Sequence, residues 1–104
     1  MTSGAAPPEA AVAVVRVELF GTARIAAGAK RVVLPYEEAG SLADVVGALA
    51  VRCRALVGPV IREDGRRLQE GFVFNVNGRD FVPDLSRPLR PGDSVLLIAA
   101  AAGG

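Results

Sequence analysis

The sequence predicts an α+β domain in which a mixed sheet of four or five short strands packs on one main helix. Three observations carry this. Val15, Val17 and Leu19 alternate with Arg16, Glu18 and Phe20, the period of a half-buried strand. Leu42, Val45, Val46, Leu49 and Cys53 recur at helical spacing and make one apolar stripe. Asn77-Gly78 stands between two apolar runs, a strong signal for a tight hairpin turn. One striped helix and several alternating strands satisfy each other as two layers.

The elements follow in chain order. Ala, Pro, Gly and Ser dominate the first dozen residues, which read as a disordered lead-in. The first strand ends at Gly21, and Thr22 to Gly28 reads as a loop of small residues with at most one helical turn. Lys30 to Leu34 is a second β-branched run, stopped by Pro35 and able to pair antiparallel with the first. Ser41 to Cys53 is the helix, with Ser41 as N-cap and Asp44 in the position of an acidic capping-box partner. Gly47 weakens it by up to ~1 kcal/mol relative to Ala. Gly58-Pro59 closes this region and Glu63-Asp64-Gly65 is a turn. Phe72 to Val76 and Arg79 to Val82 flank the Asn77-Gly78 turn, and Arg90-Pro91-Gly92-Asp93 turns the chain into a last strand, Val95 to Ile98.

Composition excludes several function classes. A chain of 104 residues suits one domain, and 51% hydrophobic with 22% charged residues suits a packed core. The net charge of +1 argues against a broad nucleic-acid footprint, and Arg62, Arg66 and Arg67 read as a solvated loop. There is no histidine, which removes imidazole-based catalysis and most zinc sites. The single cysteine, Cys53, lies on the helix stripe and reads as a small buried hydrophobe rather than a sulfur-handling group. It forms no internal disulfide, which fits a reducing compartment. No apolar run reaches membrane-spanning length and no secretory signal pattern opens the chain, so no membrane partner is expected and the cytoplasm is the expected location.

The sequence closes on Ala99 to Ala102 and then Gly103-Gly104. Alone, such an ending is either a frayed end or a thin, uncharged arm that presents a carboxylate. The surrounding motifs decide between these. Val15-Arg16-Val17-Glu18-Leu19-Phe20-Gly21 with Arg24 and Gly28, then Asn77-Gly78-Arg79, then Leu89-Arg90-Pro91-Gly92-Asp93-Ser94-Val95 and the Ala-Gly-Gly ending resemble the small ubiquitin-like sulfur carriers. These include the molybdopterin synthase small subunit, the thiamine-pathway carrier, and relatives serving cysteine synthesis or tRNA thiolation. The resemblance covers about residues 14 to 104.

It implies a β-grasp domain over residues 14–98, a lead-in over 1–13, and a flexible tail over 99–104. It also implies a chemistry. An adenylating enzyme of the ubiquitin-activating type, using ATP and Mg²⁺, converts the Gly104 carboxylate to an acyl-adenylate, and a sulfur nucleophile replaces AMP to leave a thiocarboxylate. The carrier would hold no permanent cofactor or metal and supply no acid or base of its own. Gly104 is the attachment point, Gly103 the thin arm behind it, and Ala101 and Ala102 leave room for passage into a narrow site. The sulfur acceptor would be an enzyme such as the molybdopterin synthase large subunit, within molybdenum cofactor biosynthesis. Carriers for cysteine, thiamine or tRNA thiolation, and a ubiquitin-like modifier or interaction module, are the alternatives.

Partner contacts are expected from the body of the domain. Phe20 and Ile98 alternate away from the core-facing positions and match family positions that present apolar groups to partners, so both are expected at the surface. Phe81 is a further candidate. Arg24 matches a basic family position near the tail, and either pairs with an acidic partner group or is an ordinary solvated arginine. Ile25 stands where many molybdopterin-type carriers have glutamate, and alanines replace the prolines common in their tails, which blurs the pathway.

Overall fold

The computed structural model describes residues 13–100. Residues 1–12 of the expected lead-in over 1–13, and the tail residues Ala101 to Gly104, lie outside the described residues. Strand β1 (Val14–Leu19) is followed by helix α1 (Gly21–Ala27), strand β2 (Arg31–Pro35), helix α2 (Leu42–Arg52), and strands β3 (Phe72–Val76), β4 (Asp80–Val82) and β5 (Ser94–Ala99). Short 3₁₀ turns at Tyr36–Glu38 and Arg54–Leu56 flank α2.

The five strands form one sheet in the order β2-β1-β5-β3-β4. β1 runs antiparallel to β2 and parallel to β5, while β3 runs antiparallel to both β5 and β4. The last strand thus lies in the middle of the sheet, beside the first. Strand alternation sends Val15, Val17, Leu19, Leu34, Phe74, Val76, Val95 and Leu97 inward. The predicted stripe meets them: Leu42, Val45, Val46 and Leu49 of α2 are fully buried. Leu56, Val60 and Ile61 from the connection after α2 close the core. This two-layer arrangement is the β-grasp fold.

Local chemistry fixes the boundaries. The Ser41 hydroxyl accepts the Asp44 amide at 3.2 Å, so α2 begins at the expected cap. Cys53 is not inside the helix. It is the residue after it, half-buried, with its amide bonded to the Leu49 carbonyl at 2.7 Å. The stretch expected as a loop after β1 is instead the seven-residue α1, with Ala23 buried in the core and the chain leaving through Gly28 at φ 69°. Packing of Ala23, not capping chemistry, explains this helix, since no side chain caps its start.

The β3–β4 hairpin turns as its sequence demands. Asn77 and Gly78 take φ 56° and 70°, and the Arg79 amide closes the turn on the Val76 carbonyl at 3.0 Å. Asn77 does more than turn. Its Nδ2 donates to Asp93 Oδ1 at 3.1 Å, and its Oδ1 accepts the Ser94 amide at 2.8 Å. Asp93 Oδ2 in turn accepts the Arg90 amide at 2.8 Å, inside the expected Arg90-Pro91-Gly92-Asp93 turn. The hairpin turn and the turn that leads into β5 are tied together at one end of the sheet. Among the described residues no helix is long and apolar enough to cross a membrane.

Candidate functional site: the tail root and the outer sheet face

The end of β5 sets where the tail begins. The strand runs to Ala99, and the Ala100 amide still donates to the Gly71 carbonyl at 2.6 Å. The sequence places the arm's start at Ala99; the sheet holds on for two residues longer. Ala-Ala has little strand preference of its own, so it is the β3 side that supplies this pairing. Phe72 pairs with Ala99, and Gly71, at φ 93°, turns its carbonyl toward the departing chain.

Beside this root lies the sheet face opposite the helices. Glu18 of β1, Leu96 of β5, Asn75 of β3 and Phe81 of β4 make one row across it, and Val73 and Ile98 pair in the next. Phe20 stands one step beyond the Leu19–Leu97 pair, with its amide bonded to the Leu97 carbonyl at 3.2 Å. That places Phe20 alongside Ile98 near the tail root. Phe81 shares the face but sits on the edge strand, two strands from Ile98.

The exposures refine the expectations. Phe81 is 63% exposed. Ile98 is half-buried, and so is Phe20, which was expected to be exposed. Phe20 is the residue that starts α1, and the Arg24 guanidinium lies 5.4 Å from its ring centroid. Arg24 is therefore not an ordinary solvated arginine: its Nε donates to the Leu19 carbonyl at 3.0 Å. One clip of Leu19, Phe20 and Arg24 fixes the junction of β1 and α1. Gly103, Gly104, Ala101 and Ala102 lie outside the described residues.

Sequence reading missed three members of this face: Val73, Asn75 and Leu96. The signal was available in the parity of β3. With Phe74 and Val76 inward, Val73 and Asn75 must face outward. What no single strand reveals is the register that places Leu96 and Phe81 on either side of Asn75.

Two ion pairs form among the described residues. Arg31 pairs with Glu18 at 3.2 Å on the outer face, and Arg52 with Glu38 at 2.8 Å beside α2. Both pairs are solvent-exposed and contribute little. Burial pushes the Cys53 thiol above its ordinary value of 9.0, against a weaker opposing pull from Arg52. A thiol held protonated is a poor nucleophile, so the one thiol of the chain is not set up for sulfur chemistry.

A family model described as the ThiS family matches residues 17–104. The chain belongs to the ThiS family. The ThiS family is one of ubiquitin-like sulfur carriers and modifiers, and the chain's β-grasp sheet agrees with solved structures. SAMP1 from Haloferax volcanii matches with a TM-score of 0.73 at 24% identity, covering 88% of this chain and 99% of that one. The small archaeal modifier protein 1 from Methanosarcina acetivorans matches with a TM-score of 0.69 at 24% identity, covering 89% and 98%. Urm1 from Trypanosoma brucei gives 0.67 at 21% identity, covering 89% and 97%. At these identities the solved structures speak for the fold of this ThiS-family chain. No curated protein matches it in sequence.

Proposed function

We propose that this protein carries sulfur on the carboxylate of Gly104. The observation that supports the reading most is the reach of the family match. It runs to residue 104 and so includes Gly103-Gly104, beyond a tail root fixed at the middle strand of the sheet. Four residues past Ala100 extend at most ~14 Å. The arm can enter a narrow site while the outer face of the sheet rests on the enzyme's surface.

The chemistry is covalent activation. A carboxylate is a poor acyl donor because it would have to expel oxide. An adenylating partner joins it to AMP from ATP, releasing pyrophosphate, and AMP is then a good leaving group. Hydrosulfide displaces AMP directly to give the thiocarboxylate. A persulfide gives an acyl disulfide, which a thiol then reduces to the same product. The carrier contributes reach and recognition; ATP and Mg²⁺ belong to the partner. The first acceptor to examine is the large subunit of molybdopterin synthase, in molybdenum cofactor biosynthesis, followed by acceptors for cysteine, thiamine or tRNA thiolation.

Intact-mass measurement after incubation with an adenylating enzyme, ATP and sulfide tests the reading. A gain of roughly 16 Da is expected, as oxygen gives way to sulfur on the activated carboxylate. Removing Gly104 should abolish the gain and leave the melting temperature unchanged. A gain that survives the deletion would sink the proposal. A second reading, a protein modifier joined to lysine through Gly104, draws on the archaeal neighbour known as small archaeal modifier protein 1. A stable adduct of this chain with other proteins, formed with ATP and without sulfide, would favour it.

A further inference from the structure

Arg87 and Arg90 line one pocket of about 300 Å³, together with Asn77, Pro88 and Asp93. The pocket lies where the β3–β4 turn is tied to the turn into β5. That is the start of β5, at the end of the sheet away from the tail root.

Both cations are unspent. Arg24, Arg31, Arg52 and Arg62 donate side-chain hydrogen bonds among the described residues; Arg87 and Arg90 do not. Neither takes part in the two ion pairs. Arg87 is nonetheless half-buried. Its guanidinium has lost part of its hydration and gained no acceptor in exchange, with a second cation on the same pocket wall. Asp93 does not answer the pair. Its Oδ1 accepts from Asn77 Nδ2 at 3.1 Å, and its Oδ2 accepts from the Arg90 amide at 2.8 Å. The pocket's one carboxylate is committed to the turns, and two positive charges face one negative.

The backbone carrying the arginines is fixed. The Arg87 carbonyl accepts the Leu42 amide of α2 at 3.0 Å, and Pro88 forms a β-bridge with Ser41. Leu89 is buried in the core, with its amide on the Gly40 carbonyl at 2.9 Å. The Arg90 carbonyl accepts the Asp93 amide at 3.0 Å. Two guanidinium groups on a preset frame bind an anion at lower ordering cost than two on a free loop.

We infer that this pocket binds the phosphate group of a small, non-aromatic ligand, at a site separate from Gly104. An arginine fork donates two parallel N–H bonds to an oxyanion. One fork suffices for a single carboxylate. A phosphate or diphosphate has the charge and the oxygens to accept from both arginines at once. No aromatic side chain lines the pocket, so a nucleobase finds nothing to stack on.

Calorimetry on the full chain in phosphate-free buffer tests this, with pyrophosphate, inorganic phosphate and acetate as probes. Three variants are compared: Arg87→Gln, Arg90→Gln, and Arg79→Gln, which alters an exposed arginine of the hairpin turn outside the pocket lining. The wild type is expected to bind pyrophosphate and phosphate more tightly than acetate. Arg87→Gln and Arg90→Gln should each weaken pyrophosphate at least about fivefold, and Arg79→Gln by less than about twofold. Without ligand the two pocket variants should melt no lower than the wild type, because no bond within the chain is lost. Pyrophosphate should raise the melting temperature of the wild type more than that of either.

A wild type that binds neither phosphate probe would overturn the inference. Equal losses in all three variants would do the same, by reducing the effect to diffuse attraction. Acetate bound as tightly as pyrophosphate would make this a carboxylate site. A short single-stranded oligonucleotide bound far more tightly than pyrophosphate would make the ligand an extended polyanion. Ligand-free variants that melt well below the wild type would assign the arginines a structural role instead. Mass gain at Gly104 plays no part in these readings, so the carrier chemistry and the anion site stand or fall separately.

Discussion

Arg24 holds Phe20 from above and Leu19 from the side. Its guanidinium lies 5.4 Å from the Phe20 ring centroid, and its Nε reaches the Leu19 carbonyl at 3.0 Å. An apolar group on the outer face near the tail root is thus set by a charged residue one turn along α1. Arg24→Ala removes one side-chain hydrogen bond and one partly exposed cation–π contact. A loss of about 1–2 kcal/mol is expected in urea unfolding. Arg24→Lys keeps the charge without the planar fork and should recover only part of it.

Gly47 offers the opposite sign. It lies inside α2, and a Cβ built there meets nothing within 4 Å. Gly47→Ala should stabilise the domain by up to about 1 kcal/mol, through lower unfolded-state entropy and better helix propensity. Thermal melting reads this directly, and mass gain at Gly104 should be unaffected.

Asn77 separates turn strain from side-chain bonding. Asn77→Ala loses the bonds to Asp93 and Ser94 and also places a Cβ residue with little αL tolerance at φ 56°. About 2–3 kcal/mol of destabilisation is expected. Asn77→Gly relieves the backbone while losing the same bonds, and should fall between the wild type and Asn77→Ala. If the two variants unfold together, strain at this turn is negligible.

The Cys53 thiol gives a pH prediction. Its folded-state value lies above 9.0, so the neutral form is favoured in the fold. The stability this contributes is complete below the unfolded-state value and is lost as pH rises through the folded value. Alkylation by iodoacetamide near neutral pH should be slower than for an unfolded control, with the rate still rising past pH 9. Cys53→Ala should leave the mass gain at Gly104 intact.

The strands and the main helix were legible because their signals are local. Period-2 alternation around Val17, the Leu42-to-Leu49 stripe and Asn77-Gly78 each specify a conformation within a few residues. α1 was not legible: Gly21-Thr22-Ala23 is a poor helix start, and only the burial of Ala23 makes it one. Phe20 was assigned the correct face but too much exposure, because no strand pattern shows that Arg24 will cover it. The last two residues of pairing, at Ala99 and Ala100, came from Gly71 across the sheet. Asn75 is the sharpest case, since its side chain is buried with Oδ1 unpartnered only once three strands are in register.

The place of β5 has a consequence for biosynthesis. It is the last of the five described strands to be made, yet it separates β1 from β3 in the finished sheet. A chain stopped short of Ser94 holds two β-ribbons with no strand to join them, and its inward valines and leucines have no completed layer to meet. Folding must wait until β5 leaves the ribosome, when Val17 can pair with Val95 across most of the sequence. Prematurely ended products therefore stay open to proteolysis, and the molecules that survive in the cell are those whose synthesis has reached the root of the tail.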